Sequence, residues 1–308
     1  MKNTAFVATY YNNPHFIELQ AKTLSKYVED SYDFFVLDDS EADTKSILTN
    51  NLARDEIKAE CLKYGAIYTP IPQTIHQYMR NGGYVPNESP TTHHPTERHQ
   101  ALMRYLLTNP KKLKIDKYKH LVLMDADVFF KQPISVEAYM THDIIATHRI
   151  QDIKLPLSEH HPAMFPPRVR ELDGKTINFF TFFIMFVNLQ RVTNLHSIDV
   201  GSWPATDTGS KSNFFITDNP QYSYKWLNER HVGEVRIDVV SKSDDFDEFG
   251  AEFVHYRAGS NWLYESSDYY KAKLHRMLKR YLPDLAKPEW DIHQDLTSRD
   301  GEHSLKKS

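Results

Sequence analysis

Cysteine is almost absent from this 308-residue chain: Cys61 is the single one, which excludes a disulfide framework and a thiolate metal cluster and favours a reducing compartment. Long apolar runs are also missing. The longest, Phe179 to Val187, is interrupted by Thr181 and falls well short of the ~20 residues that a membrane-spanning helix needs. Met1-Lys2-Asn3-Thr4 leads straight into a short strand-like run without an apolar leader region. The expectation is a soluble, cytoplasmic protein that meets a membrane at most with its surface. Positive charge is not in excess either. With 37 Lys and Arg against 41 Asp and Glu and a net charge of -4, few cations are left to neutralise phosphates along a duplex, so no nucleic-acid partner is expected. What the chain does have is an apolar and aromatic fraction of 40%, sufficient for one large core or two modest ones. Its 18 Tyr and 17 Phe suit either sugar-stacking platforms or an aromatic core. No internal repeat or low-complexity block occurs.

The first hundred residues alternate strand-like and helical segments, the order that builds an α/β domain with a mostly parallel central sheet flanked by helices. Strands are expected at Thr4 to Thr9, Tyr32 to Leu37 and Ala66 to Thr69, the last stopped by Pro70 and Pro72. Asn13-Pro14 opens a helix with Phe16, Leu19, Leu24 and Val28 at helical spacing, and a second helix runs from Ile47 to Tyr64, closed by Gly65. Gln73 to Pro95, rich in Gly, Pro, Asn, Thr and His, reads as a substrate loop. A helix from Thr96 to Leu107 and a buried strand from His120 to Met124 follow, with later strands at Asp143 to Thr147 and Ile177 to Leu189. A basic helix spans Ser267 to Leu282 ahead of a polar tail. It offers either a face for an anionic membrane or an ordinary face packed on the core.

Chemistry gathers where the fourth strand ends. Asp125 and Asp127, one residue apart on an extended chain, project to the same side. In open α/β sheets ligands collect outside the carboxyl ends of the strands. Two converging carboxylates beside the buried runs Leu121-Val122-Leu123-Met124 and Val128-Phe129-Phe130 are costly unless a cation joins them, and a hard divalent ion with oxygen ligands suits. An Asp-x-Asp alone is commonly solvated surface; this setting argues for a site.

The segment Leu-Val-Leu-Met-Asp-Ala-Asp-Val-Phe-Phe resembles the aspartate motif of GT-A glycosyltransferases, whose acids ligate manganese or magnesium bridging a nucleotide diphosphate. Phe253-Val254-His255-Tyr256-Arg257-Ala258-Gly259-Ser260-Asn261-Trp262 is similar to the C-terminal His-Gly-Trp motif of the glycogenin and lipopolysaccharide galactosyltransferase family. The resemblance implies a single GT-A (Rossmann-like) catalytic domain over 1–265, with a nucleotide-sugar-binding half at 1–130 and an acceptor-binding half at 131–265, and residues 266–308 as the basic helix and tail. It implies His255 as third ligand of Mn2+ or Mg2+, a nucleotide-sugar donor such as a UDP-sugar, and a glycan, glycolipid or protein acceptor. Asn261 stands where the family usually has lysine, which leaves Arg257, with Gly259 and Ser260 beside it, to meet the diphosphate.

On the donor side, Thr9, Tyr10 and Tyr11 end the first strand where this family cradles base and ribose, and Tyr10 or Tyr11 is placed to stack on a base. Asp38 and Asp39 either accept hydrogen bonds from base or ribose or form a capped turn. Arg98 and Arg104 are candidates for phosphate or for the surface. On the acceptor side, Asp207, in the Gly-, Ser- and Thr-rich segment Trp203 to Ser210, is the candidate carboxylate base of an inverting enzyme or a substrate-orienting group in a retaining one, with an Asx turn as its plain alternative. Asp218, Asp244, Asp245 and Asp247 are further acids, and the run from Ser243 to Glu248 reads as a solvated acidic turn. The pairs His93-His94 and His160-His161 lack the spacing of a structural zinc site. Two rival functions stay open: a sugar-phosphate nucleotidyltransferase, which needs a glycine- and basic-rich phosphate loop after the first strand, and a non-enzymatic calcium-dependent carbohydrate-binding protein.

Overall fold

The computed structural model describes residues 2–40, 53–76, 95–154, 167–202, 209–232, 246–257 and 267–290. In chain order these residues form β1 (Thr4–Tyr10), α1 (His15–Tyr27), β2 (Tyr32–Asp38), α2 (Ala53–Tyr64), β3 (Ile67–Pro70), α3 (Pro95–Thr108), β4 (His120–Asp125), β5 (Val128–Phe130) and α4 (Val136–Tyr139). Then follow β6 (Ile144–Asp152), α5 (Pro167–Arg170), β7 (Thr176–Asn188), α6 (Ser212–Asp218), β8 (Tyr224–Trp226), β9 (Glu229–Val232), β10 (Phe246–Phe249), β11 (Phe253–His255) and α7 (Ser267–Tyr281).

Among the described residues the main sheet has seven strands in the order β3-β2-β1-β4-β7-β6-β8. It is the mostly parallel α/β sheet that the sequence predicts: β1 runs parallel to β2 and β4, and β2 to β3, while β7 is antiparallel to β4 and β6. Strand order reverses between β1 and β4, and such a switch point opens a crevice at the carboxyl ends of the strands. Because side chains alternate, Phe6, Ala8 and Tyr10 enter one core layer with α1 and with Leu274, Met277 and Leu278 of α7. Ala5 and Val7 enter the other, against Leu102, Met103, Leu106 and Leu107 of α3. The apolar face of α7 is therefore buried in the protein. Among the described residues, no helix is long and apolar enough to cross a membrane.

Several expected boundaries shift. The strand predicted at 143–147 extends to Asp152. Of the helix predicted over 47–64 the structure describes Ala53–Tyr64, and of the loop predicted over 73–95 it describes a 3-10 turn, Gln73–His76, and Pro95 as the start of α3. The solvated acidic turn expected over 243–248 needs correction: Phe246–Phe249 is β10, and Asp247 is 2% exposed.

Two features went unseen in the sequence. A second sheet of order β5-β11-β10-β9 is built around the strand that follows the aspartates. Strand β7 also carries a wide bulge: pairing runs from Ala146↔Met185 to His148↔Phe180, so Thr147 alone faces residues 181–184. Inside the bulge Phe182 adopts φ 60°, a left-handed conformation that a bulky side chain rarely takes. Gly209 fits against it because a Cβ there would sit 2.1 Å from the Phe180 carbonyl oxygen.

Candidate metal centre

Strand β4 delivers Asp125 to the carboxyl edge beside Thr9 of β1, and the chain turns through Ala126 and Asp127 into β5. Buried Gln20 of α1 fixes that turn, its side-chain amide donating to the carbonyls of Asp125 at 2.8 Å and Val128 at 3.1 Å. Gln20 accepts in turn from the Tyr10 hydroxyl at 2.7 Å. Strand β11 pairs with β5 so that His255 lies opposite Val128, and the Tyr256 N–H donates to the Asp127 carbonyl at 2.9 Å. Two strands of the small sheet and one of the large sheet thus bring Asp125, Asp127 and His255 together: one ligand atom from each lies within 4.8 Å of the others.

The donor set fits a divalent cation. At such spacing two carboxylates repel by on the order of 3 kcal/mol in surroundings of effective dielectric ~20, a cost that a cation between them removes. Two carboxylates and one imidazole are ligands that first-row divalent metals share. His255 Nε2 lies 3.2 Å from Asp127 Oδ1 and Nδ1 lies 3.3 Å from Asp247 Oδ2. Burial pushes the His255 ring toward the neutral form, but Asp127 and Asp247 outweigh it and hold the pKa up at about 10. Burial likewise pushes Asp125 up to about 6, with His99 and His255 pulling it down and Asp127 adding to the rise.

The other nucleotide-side candidates differ in burial and in partners. Tyr10 is corrected from a stacking platform to a core residue: it is 1% exposed, because the alternation of β1 turns it toward α1. Arg98, a candidate phosphate contact, is placed beside Asp39 and the Tyr11 ring. It is 4% exposed, its Nη2 lies 3.1 Å from Asp39 Oδ2 and donates to the Asp39 carbonyl at 2.7 Å, and its guanidinium lies over the Tyr11 ring at 4.4 Å. Asp39 therefore spends its charge on Arg98. Asp38, fully buried, accepts from the Ser40 N–H at 2.9 Å and the Tyr68 hydroxyl at 2.9 Å, the capped-turn alternative in geometric form. Arg104 lies at the surface and pairs with Asp199 at 3.2 Å.

Arg257 is the cation that stays beside the cluster. Its Nε is 3.3 Å from Asp247 Oδ2, and its backbone takes φ 62°. Asp207, Gly259 and Ser260 lie outside the described residues, as do Asp244, Asp245, Asn261, Trp262 and the two His-His pairs.

Two participants were missed, and a third was read as a solvated acid. His99 of α3 places Nε2 3.3 Å from Asp125 Oδ1, without hydrogen-bond alignment. Phe183, turned out of the β7 bulge, lies against the His255 ring at 4.8 Å and stacks on Phe249 at 5.8 Å. Asp247 is the third, and a signal for it exists. Phe249 and Phe253 flank a three-residue turn containing Gly250, and pairing them across a hairpin places Asp247 opposite His255, as observed.

No protein-family profile matches the sequence, and no curated protein matches it. Solved structures give partial matches. Core-mannan synthase A (CmsA/Ktr4) from Aspergillus fumigatus in its Mn/GDP form is 12% identical, covering 63% of this chain and 61% of that one, with a TM-score of 0.40. The mannosyltransferase Ktr4p from S. cerevisiae is 14% identical over 62% of this chain and 57% of its own, with a TM-score of 0.36. Mouse xyloside xylosyltransferase 1 in its apo form is 10% identical over 73% and 85%, with a TM-score of 0.38. The chain thus spans about three fifths of the two fungal proteins. At such identities and scores the likeness says nothing about what this chain binds.

Proposed function

We propose that the chain is a metal-dependent glycosyltransferase of the GT-A type, moving a sugar from a nucleoside-diphosphate donor, a UDP-sugar, to a glycan, glycolipid or protein. One observation carries this reading: Asp125, Asp127 and His255, named from two sequence motifs ~130 positions apart, converge to within 4.8 Å at the switch point of an α/β sheet. In that role Asp125, Asp127 and His255 hold Mn2+ or Mg2+, which when bound supplies Lewis-acid stabilisation of the departing diphosphate. Arg257, whose side chain is 29% exposed, adds a cation at the same edge. Gln20 keeps the Asp125–Val128 turn in register. Asp207 is our candidate for the acceptor hydroxyl, and Gly259 and Ser260 are candidates for the phosphates.

The rival readings fit less well. A nucleotidyltransferase calls for a glycine- and basic-rich loop after β1, and Tyr11-Asn12-Asn13 supplies neither. A calcium site draws on six to eight oxygen ligands, whereas one of the three donors here is an imidazole nitrogen. The test is a panel of nucleotide sugars incubated with the full chain, with and without Mn2+. Metal-stimulated release of one nucleoside diphosphate, abolished by Asp127→Asn, is expected. Consumption of no donor, or an equally active Asp127→Asn, contradicts the reading.

A further inference from the structure

The role of Asp247 is not covered by the three-ligand site. It sits on β10, directly across from His255 of β11, and is 2% exposed. Its Oδ2 lies 3.3 Å from His255 Nδ1 and 3.3 Å from Arg257 Nε, so one carboxylate oxygen serves two residues of the site. His255 Nδ1 faces this oxygen while Nε2 faces Asp127 at 3.2 Å. The ring is confined from the sides as well, with the Phe183 centroid at 4.8 Å and the Phe249 centroid at 5.7 Å. A buried carboxylate has reason to be there only if the groups it bonds repay its desolvation.

We propose that Asp247 is a positioning residue: it binds His255 through Nδ1 so that Nε2 is presented to the cation shared with Asp125 and Asp127, and it holds Arg257 beside the same site. The inference rests on the metal-dependent reading above. Histidine ligands generally donate their second ring N–H to such an outer carboxylate, which fixes the tautomer and raises the basicity of the ligating nitrogen. Asp247 is placed for this on the same hairpin that carries His255, directly across from it. Sharing the oxygen with Arg257 joins His255 to a cation at the same edge of the sheet. The unusual φ 62° of Arg257 is compatible with a backbone held for that contact.

Mn2+ titrations followed by electron paramagnetic resonance on the full chain test the proposal, using wild type, Asp127→Asn, Asp247→Asn and Asp247→Ala. The nitrogen coupling of the bound ion and the metal-free melting temperature are recorded for each. Asp247→Asn keeps the shape and a carbonyl acceptor but loses the charge, so it decides the matter if Asp247→Ala does not fold. The expected result is Mn2+ binding weakened ~10-fold in Asp247→Asn and up to ~100-fold in Asp247→Ala, with an altered nitrogen coupling. If both Asp247 variants bind Mn2+ as wild type does with unchanged coupling, while Asp127→Asn loses the ion, Asp247 has no positioning role and the metal site stands. The same holds if only the melting temperature moves. If Asp127→Asn binds Mn2+ as wild type does, or wild type binds none, the metal reading falls and the proposal with it.

Discussion

Two charged clusters border the carboxyl edge of the sheet, and they differ in how their charge is balanced. At the end of β2, Arg98 and Asp39 match one cation to one carboxylate, both nearly fully buried, with a second bond to the Asp39 carbonyl. At the end of β4, Asp125 and Asp127 converge with Asp247 close behind, and His255 stands between Asp127 and Asp247. The first cluster is complete within the protein and serves as a strut. The second crowds three carboxylates around His255 and Arg257, an arrangement that a bound cation would relieve. Surplus charge at a sheet edge, more than the presence of charge, distinguishes the candidate site.

The comparison breaks most visibly at the strut. Arg98→Met strands Asp39 in the interior and is expected to cost about 3–5 kcal/mol of stability, while Mn2+ affinity stays unchanged. Replacing both partners with apolar residues should recover part of the loss. Denaturant unfolding and a Mn2+ titration on the same samples check this; reduced Mn2+ affinity in a folded Arg98→Met would place Arg98 in the site after all.

Tyr10→Phe sharpens the contrast with a smaller effect. A stacking role predicts no change because the ring is kept. The hydroxyl bond to Gln20 predicts a loss of about 1–2 kcal/mol, since a buried acceptor loses its donor. Thermal unfolding of the metal-free chain decides between them.

The mildest probe is pH. The His255 pKa is raised in the folded protein, so its contribution to metal-free stability is present below the unfolded value of ~6.5 and is lost as pH rises through about 10. A metal takes the neutral ring, so Mn2+ affinity runs the other way. It should rise about tenfold per pH unit between pH ~7 and ~8 as one proton is displaced, and more steeply below about 6, where Asp125 also takes up a proton. Titration in buffers of different ionisation enthalpy counts the protons; affinity flat across this range contradicts the assigned charge of His255.

The parallel half of the fold was legible because its strands are buried on both faces and its helices carry a clear period, so β1, β2, β4 and α1 fell within a residue or two of expectation. The convergence of Asp125, Asp127 and His255 was legible through motif context. The surroundings were not. Tyr10 and Tyr11 are adjacent aromatic residues whose opposite fates depend on which face of β1 meets α1. Arg98 and Asp39 find each other across the packing of α3 on β2, a contact between segments 59 residues apart. Phe183 reaches His255 through the β7 bulge; Thr181, which interrupts the aromatic run, lies in that bulge, but threonine is common in strands and does not announce one. The place of Asp247 opposite His255 could have been found by pairing Phe249 with Phe253, but the two acids before it, Asp244 and Asp245, drew the segment toward a solvated reading.

The central claim is that Asp125, Asp127 and His255 form one metal-dependent nucleotide site. Isothermal titration of the full chain with a nucleoside diphosphate, with and without Mn2+, tests it most directly. Binding that requires Mn2+ and disappears in Asp127→Asn is the predicted result. Binding that is equally strong without metal and unaffected by Asp127→Asn would contradict the account.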